Sequence, residues 1–305
     1  MAGKVLITGA SGFLGKIIST ELIKLGYTIL TLGKQDSNYI RVDLAKEGFQ
    51  LPSQEKIDLV IHAAGKAHSI PKTTAEIKDF FDVNFEGTKR VCESLGINQS
   101  LPKAFVFVST VAVYGIDSGK LISEDYPLIG NTPYAQSKIM AEAWLQQWAA
   151  KNNVVLSILR LPLVVGLNPP GNMGTMIHGI DSGRYLSIGD AGARKSAVWA
   201  ADIAYIFPRL AQKGGIYNLT DGYHPSFGEL ERCIASSLNK NPPSKIPFIL
   251  AKALAFFGDF LGSRSPINSI KLNKITSTLT FDDSKARTLL NWQPNSVLDK
   301  LPSIL

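Results

Sequence analysis

Eight residues near the start constrain this chain more than any others: Thr8-Gly9-Ala10-Ser11-Gly12-Phe13-Leu14-Gly15. They join a short apolar, β-rich run (residues 5–8) to a run with apolar residues at helical spacing (residues 14–25). Glycines spaced G-x-x-G-x-x-G at such a junction have a physical reading. Gly9 permits a sharp exit from the strand, Gly12 lacks the Cβ that would block a pyrophosphate, and Gly15 lets the helix pack close. The helix N-terminus then offers unpaired N–H groups and the positive end of its dipole to the phosphates. A bare glycine triplet marks many ordinary turns. The strand–turn–helix setting makes this one a dinucleotide loop, with Ser11, Phe13 and Leu14 beside the cofactor.

The rest of the first half repeats the alternation. Residues 28–32, 59–62, 105–109 and 156–161 are nearly continuous in apolar side chains, the mark of parallel strands buried on both faces. Residues 80–95 and 134–150 carry helical spacing between them. The pattern predicts an α/β fold with a doubly wound parallel sheet, Rossmann-like in plan. After Pro162 the pattern loosens into Gly/Asn/Pro-rich loops, resumes with a strand at 216–220, and ends in helical pieces between Pro-rich turns. We therefore expect a dinucleotide domain from 1–165 and 196–224, and a smaller substrate lobe from 166–195 and 225–305.

Bulk properties narrow the function. The formal charge of +7 is scattered along the chain, which suits an anionic ligand, and no basic stripe or nucleic-acid reader motif is visible, so no nucleic acid is expected. Cys92 and Cys233 are too few for a disulfide framework or a zinc cluster, so no metal is expected. A first strand from about Lys4 leaves no room for a signal peptide, pointing to the cytoplasm. The most apolar stretch, 246–262, is interrupted by Lys252 and Asp259 and short for a span. It reads as a helix of the substrate lobe, with a membrane-surface helix or anchor as the alternative. No membrane partner is expected.

Several positions carry specific chemistry. The tip of the second strand is Leu32-Gly33-Lys34, where an acid that would bond a ribose 2′-hydroxyl is missing. Lys34 would attract a 2′-phosphate, so the cofactor is NAD or NADP with a lean to NADP, although Asp36 could swing in. Ala63, Ala64 and Gly65 are small residues at a strand's C-terminal end, where a cofactor can lie against the backbone, and Asp43-Leu44 is placed for the adenine amino group. Tyr134 and Lys138 lie one turn apart on one helix face. A phenol is a poor base at neutral pH, but a neighbouring ammonium and a nicotinamide cation favour its ionised form. Ser109 and Thr110 place hydroxyls at the end of the strand 105–109, and Thr110 could share a hydrogen bond with the substrate oxygen.

The ordered set TGASGFLG, HAAG, VNFEGT, FVSTVAVYG, PYAQSK and LRLPLVVG resembles the extended short-chain dehydrogenases/reductases, and within them the nucleotide-sugar epimerase/dehydratase branch. The resemblance implies Thr110, Tyr134 and Lys138 as the catalytic set. It implies Gly9, Gly12, Gly15, Asp43, Ala63, Ala64 and Gly65 around the cofactor, with Asn84 and Pro162 near its nicotinamide half. Asn172, Met173 and Lys195 would face the substrate's nucleotide and phosphates. Val111-Ala112 stand where the 4,6-dehydratases carry Asp-Glu, which makes dehydration an unsuitable chemistry here. The implied function is an NAD(P)-dependent epimerase acting on a nucleotide sugar at C4. An NADPH-dependent 4-ketoreductase is the alternative, and a non-catalytic dinucleotide sensor a more distant one. The resemblance also implies a homodimer.

Overall fold

A computed structural model describes residues 3–52, 55–67, 69–260 and 268–305. Its centre is a seven-stranded sheet of β1 (Lys4–Thr8), β2 (Thr28–Gly33), β3 (Ile40–Arg41), β4 (Leu59–His62), β5 (Ala104–Thr110), β7 (Val155–Leu161) and β11 (Gly215–Asn218). The spatial order is β11-β7-β5-β4-β1-β2-β3, and every pair is parallel. The chain winds outward from β1 through β2 to β3, then returns to β4 on the other side of β1. That reversal opens a crevice beyond the C-terminal ends of β1 and β4, where open α/β sheets take their ligands.

The strands are apolar throughout because both faces are covered. Val5 and Ile7 of β1 face one side with α1 (Phe13–Lys24) and α6 (Phe207–Lys213), where Ile18, Leu22, Phe207 and Leu210 join them. Leu6 faces the other with α3 (Gly87–Ile97) and α4 (Pro133–Asn152), beside Val91, Leu95, Ala141 and Leu145. The helix expected over 80–95 runs from α2 (Thr74–Phe81) through a single π-helical turn at Asp82–Glu86 into α3.

The remaining strands form three small parallel pairs. They are β6 (Gly119–Ile122) with β13 (Leu279–Phe281), β8 (Leu163–Val165) with β10 (Ala197–Trp199), and β9 (Leu186–Ile188) with β12 (Ser244–Ile246). A second core gathers α5 (Gly171–Asp181), α7 (Phe227–Ser237) and α11 (Val297–Lys300) around Met173, Met176, Leu230, Ile234 and Val297. Packing crosses the lobe boundary drawn from the sequence. Ala286 and Leu290 of α10 (Ser284–Leu290), with Trp292, pack into the core of the large sheet, and Val165 and Ala197 pack into the smaller one. The stretch 246–262 contains α8 (Phe248–Phe260), which packs on α9 (Ser269–Thr276) through Ala251, Ala255 and Leu272. No helix among the described residues is long and apolar enough to cross a membrane.

Candidate active site

The glycine loop sits at the mouth of the crevice, and Gly9 and Gly15 are required by space. Gly9 has φ +73°, and a Cβ there would stand 2.6 Å from the Ala64 backbone nitrogen. A Cβ on Gly15 would meet the Gly9 carbonyl oxygen at 2.1 Å. Gly12 caps α1 with extended backbone and no side-chain hydrogen bond, so the first turn's N–H groups have no side-chain acceptor. A pyrophosphate fits this cradle. Ser11 and Phe13 are half-buried beside the loop, and Leu14 packs against the core under the sheet.

A buried relay holds the two walls of the crevice together. His62, at the end of β4, lies between Thr8 (Nδ1 to Oγ1, 2.6 Å) and Thr88 (Nε2 to Oγ1, 2.9 Å). Thr88 donates to the Asn84 carbonyl at 2.7 Å, so its oxygen accepts from the His62 Nε2–H, and Nδ1 accepts from Thr8. Burial, with the Lys138 charge adding to it, lowers His62 to about 3 and keeps it neutral. Thr8 also accepts from the Ala64 N–H at 3.1 Å, fixing the small-residue segment against the glycine loop.

Asn84 lies in the π-helical turn, a distortion frequent at functional sites. Its Oδ1 accepts from the Lys66 N–H at 2.7 Å, and its Nδ2 donates to the Lys66 carbonyl at 3.0 Å and to Ser137 Oγ at 2.9 Å. Asn84 therefore ties the loop after β4 to α4. A Cβ on Gly65 would lie 3.1 Å from Asn84 Oδ1 and 3.3 Å from Lys138 Nζ, so Gly65, Asn84 and Lys138 share one small space.

Thr132 caps α4 by accepting from the Ala135 N–H, and Pro133 pre-sets its first turn, which places Tyr134 at the start of the helix. Thr110, at the end of β5, accepts from the Ala112 N–H at 3.1 Å, and its hydroxyl acts on the Tyr134 phenol. Tyr134 and Lys138 lie one turn apart on α4, as their spacing predicts. Burial raises the phenol above its ordinary value, and the opposing influence is the Thr110 hydrogen bond. The Lys138 ammonium donates to the Val108 carbonyl at 2.9 Å and lies 4.4 Å from the Phe107 ring centre. Burial lowers Lys138 to about 8, against the pull of Glu142.

Some expected contacts need correction. The Ser109 hydroxyl points inward and donates to Glu142, so its side chain does not face the crevice. Met173 is 1% exposed in the smaller core, which removes its side chain from any substrate surface, whereas Asn172 beside it is exposed. Lys34 is paired with Asp43 at 3.0 Å across the tip of β2. Burial opposes ionisation of Asp43, yet the Lys34 and Ala45 hydrogen bonds outweigh it and hold the carboxyl below its ordinary value. Asp36 pairs with Arg41 at 2.7 Å. The Leu44 side chain is in the core and its carbonyl accepts from Arg90, so only its backbone could meet a ligand. Pro162 is half-buried between β7 and β8. Lys195 lies next to β10, and burial lowers it to about 8 while Asp117 pulls the other way.

Sequence reasoning missed the support beneath the site. Glu142, two turns after Tyr134 on α4, is 1% exposed and pairs with Arg160 at 2.8 Å. Arg160 also reaches Tyr114, which donates to Asn218 at 2.8 Å. The Tyr134, Lys138, Glu142 stripe at four-residue spacing was a visible signal. His62, a polar side chain ending an apolar strand, was another.

A glycine cradle at the sheet's reversal, with a Tyr–Lys pair on the adjoining helix, defines a dinucleotide-dependent enzyme of the short-chain dehydrogenase/reductase type. The model of the NAD dependent epimerase/dehydratase family matches residues 5–220, and the chain belongs to that family. Its cofactor is a nicotinamide dinucleotide. Among relatives, an N-acetyl-α-D-glucosaminyl-diphospho-ditrans,octacis-undecaprenol 4-epimerase of Escherichia coli O157:H7 is 27% identical, over 94% of this chain and 90% of the relative. Among solved structures, UDP-glucose 4-epimerase of Thermotoga maritima with UDP-glucose superposes with a TM-score of 0.75 at 18% identity, over 99% of this chain and 96% of that one. RMD of Pseudomonas aeruginosa complexed with NADPH gives 0.76 at 19% identity, over 100% and 97%.

Proposed function

We propose that this enzyme inverts C4 of a sugar carried on a diphosphate, by taking a hydride from that carbon and returning it to the other face. The observation that carries the reading is the placement of Thr110 at the end of β5 and of Tyr134 and Lys138 on the adjoining α4, with the Lys138 ammonium against Gly65 beside the glycine cradle. When bound, the nicotinamide supplies the hydride acceptor and donor. Gly9, Gly12 and Gly15 would hold its pyrophosphate, with Ser11, Phe13 and Leu14 alongside. Lys138, Asn84 and Gly65 would hold the adjoining ribose, with Ala63, Ala64 and Pro162 lining the ring. Tyr134 removes the C4 hydroxyl proton and later restores it to the same oxygen. Thr110 orients that oxygen, fixed by the Ala112 N–H. Placement and the proton transfer would supply much of the acceleration. Asn172 and Lys195 would meet the diphosphate side of the substrate.

The carrier is a nucleotide in the first reading. The name of the Escherichia coli relative favours a second, in which a polyprenol holds the same sugar diphosphate. We also propose that NADP is accepted at least as well as NAD, supported by Gly33-Lys34 at the tip of β2, although the Lys34–Asp43 pair tempers the attraction. A homodimer through α3 and α4 is supported by exposed Ile97 and Met140 on those two helices. A cytoplasmic setting is supported by two free thiols.

The test is incubation with UDP-glucose, UDP-N-acetylglucosamine and their GDP and dTDP counterparts, with either dinucleotide, followed by proton NMR in heavy water. Hydride return predicts the C4 epimer with no deuterium at C4 and no net cofactor consumption. Stoichiometric oxidation of NADPH by an added 4-keto-6-deoxy sugar nucleotide, with no epimerisation of the panel, would identify the ketoreductase instead.

A further inference from the structure

We propose that α8 is an interfacial helix that seats the enzyme on an anionic lipid bilayer. Its packing is inverted relative to the other helices. α1 buries Ile18 and Leu22, and α7 buries Leu230 and Ile234, as amphipathic helices do. α8 turns Ala251, Ala255 and Gly258 inward and leaves its large side chains outside. Ile249 is 83% exposed, Phe257 67% and Phe260 77%, and Leu250, Leu254 and Phe256 are exposed with them. At about 100° per residue these six cover an arc of about 160°, opposite the buried stripe. Ile270 on the adjoining α9 is exposed as well. Single exposed apolar residues are ordinary, but a contiguous ridge of this kind marks a surface that is covered in use.

Charge selects the occupant. Lys245 and Lys252 flank the ridge, exposed and without an ion pair among the described residues. Asp259, the acid on the helix, is committed to the N–H and hydroxyl of Ser269 at 2.9 and 2.6 Å. Aromatic and aliphatic side chains with lysines at the margin suit the boundary between acyl chains and anionic headgroups, and a convex ridge needs no matching groove there. A protein partner would need a groove shaped to it. The placement also bears on the substrate: α9 carries Lys274, which pairs with Asp117, the acid that acts on Lys195. A bilayer under α8 therefore lies beside the substrate side of the crevice, within reach of a lipid-carried sugar diphosphate.

The experiment is flotation of the full chain with phosphatidylcholine vesicles, with and without phosphatidylglycerol. The wild type is expected to float with the anionic vesicles, and added salt should weaken the binding. Ile249→Ser with Phe257→Ser should lower the binding by about tenfold or more, leaving turnover of a soluble sugar nucleotide unchanged. Lys245→Glu with Lys252→Glu should remove the preference for anionic vesicles. If the serine pair fails to fold, Phe260→Ser at the helix end and the wild-type salt titration decide. Wild type that stays at the bottom with both vesicle types overturns the proposal. So does a serine pair that turns a dimer into a monomer without changing flotation, which would make the ridge a contact between copies. Because the readout is flotation, failure here leaves the epimerase reading standing.

Discussion

The Lys138 ammonium lies 2.9 Å from the Val108 carbonyl oxygen, clamped under the end of β5 over the Phe107 ring. The lysine is thus held by the fold itself, with its charge beside Gly65 and Asn84. The arrangement costs it basicity: burial brings it down to about 8 from 10.5. Lys138 therefore carries its charge below about pH 8 and loses it above. Dinucleotide affinity should fall as pH rises past 8, approaching about tenfold per unit. Titrations of tryptophan fluorescence with NAD and NADP check this, and Lys138→Met should be weak and flat at every pH. The sign for folding is opposite. The unfolded chain binds this proton up to 10.5, so Lys138 adds stability as pH rises from 8 to 10.5.

Breaking the Glu142–Arg160 pair should be costly. Both partners are nearly fully buried, so Glu142→Met alone leaves an uncompensated guanidinium and should destabilise by about 3–5 kcal/mol. Arg160→Met should cost a similar amount, and the double variant should recover much of the loss. Urea unfolding of the four proteins measures the coupling.

His62 should make the fold acid-sensitive. Held neutral down to about 3 when folded, it takes a proton at 6.5 once unfolded. Stability is therefore lost as pH falls from 6.5 towards 3, at about 1.4 kcal/mol per unit. His62→Gln, which keeps hydrogen-bonding atoms but does not titrate, should be less stable at pH 7 and show a shallower slope between pH 6 and 4 in urea unfolding.

The sequence was most legible where one physical demand acts on one residue. Gly9 and Gly15 have no room for a Cβ, and the strands at 28–32 and 105–109 are apolar because both faces are covered. It was least legible where direction mattered. The spacing marks Lys138, but not that its ammonium turns to the Val108 carbonyl. Ser109 was found, but its hydroxyl turns inward to Glu142. Met173 lies in a segment that reads as a binding loop, yet a core formed by residues distant in sequence claims its side chain. Spacing along a chain fixes which face a residue shares, not which partner outbids the others for its polar atoms.

In this mechanism the Tyr134 phenol exchanges the proton of the sugar's C4 oxygen. The most direct measurement of that exchange is single-turnover kinetics of Tyr134→Phe beside the dinucleotide dissociation constant of the same variant. A proton-transferring phenol gives a rate lower by about 10²–10⁴ in the variant, with dinucleotide affinity within about twofold of wild type. Wild-type turnover in that variant would contradict it.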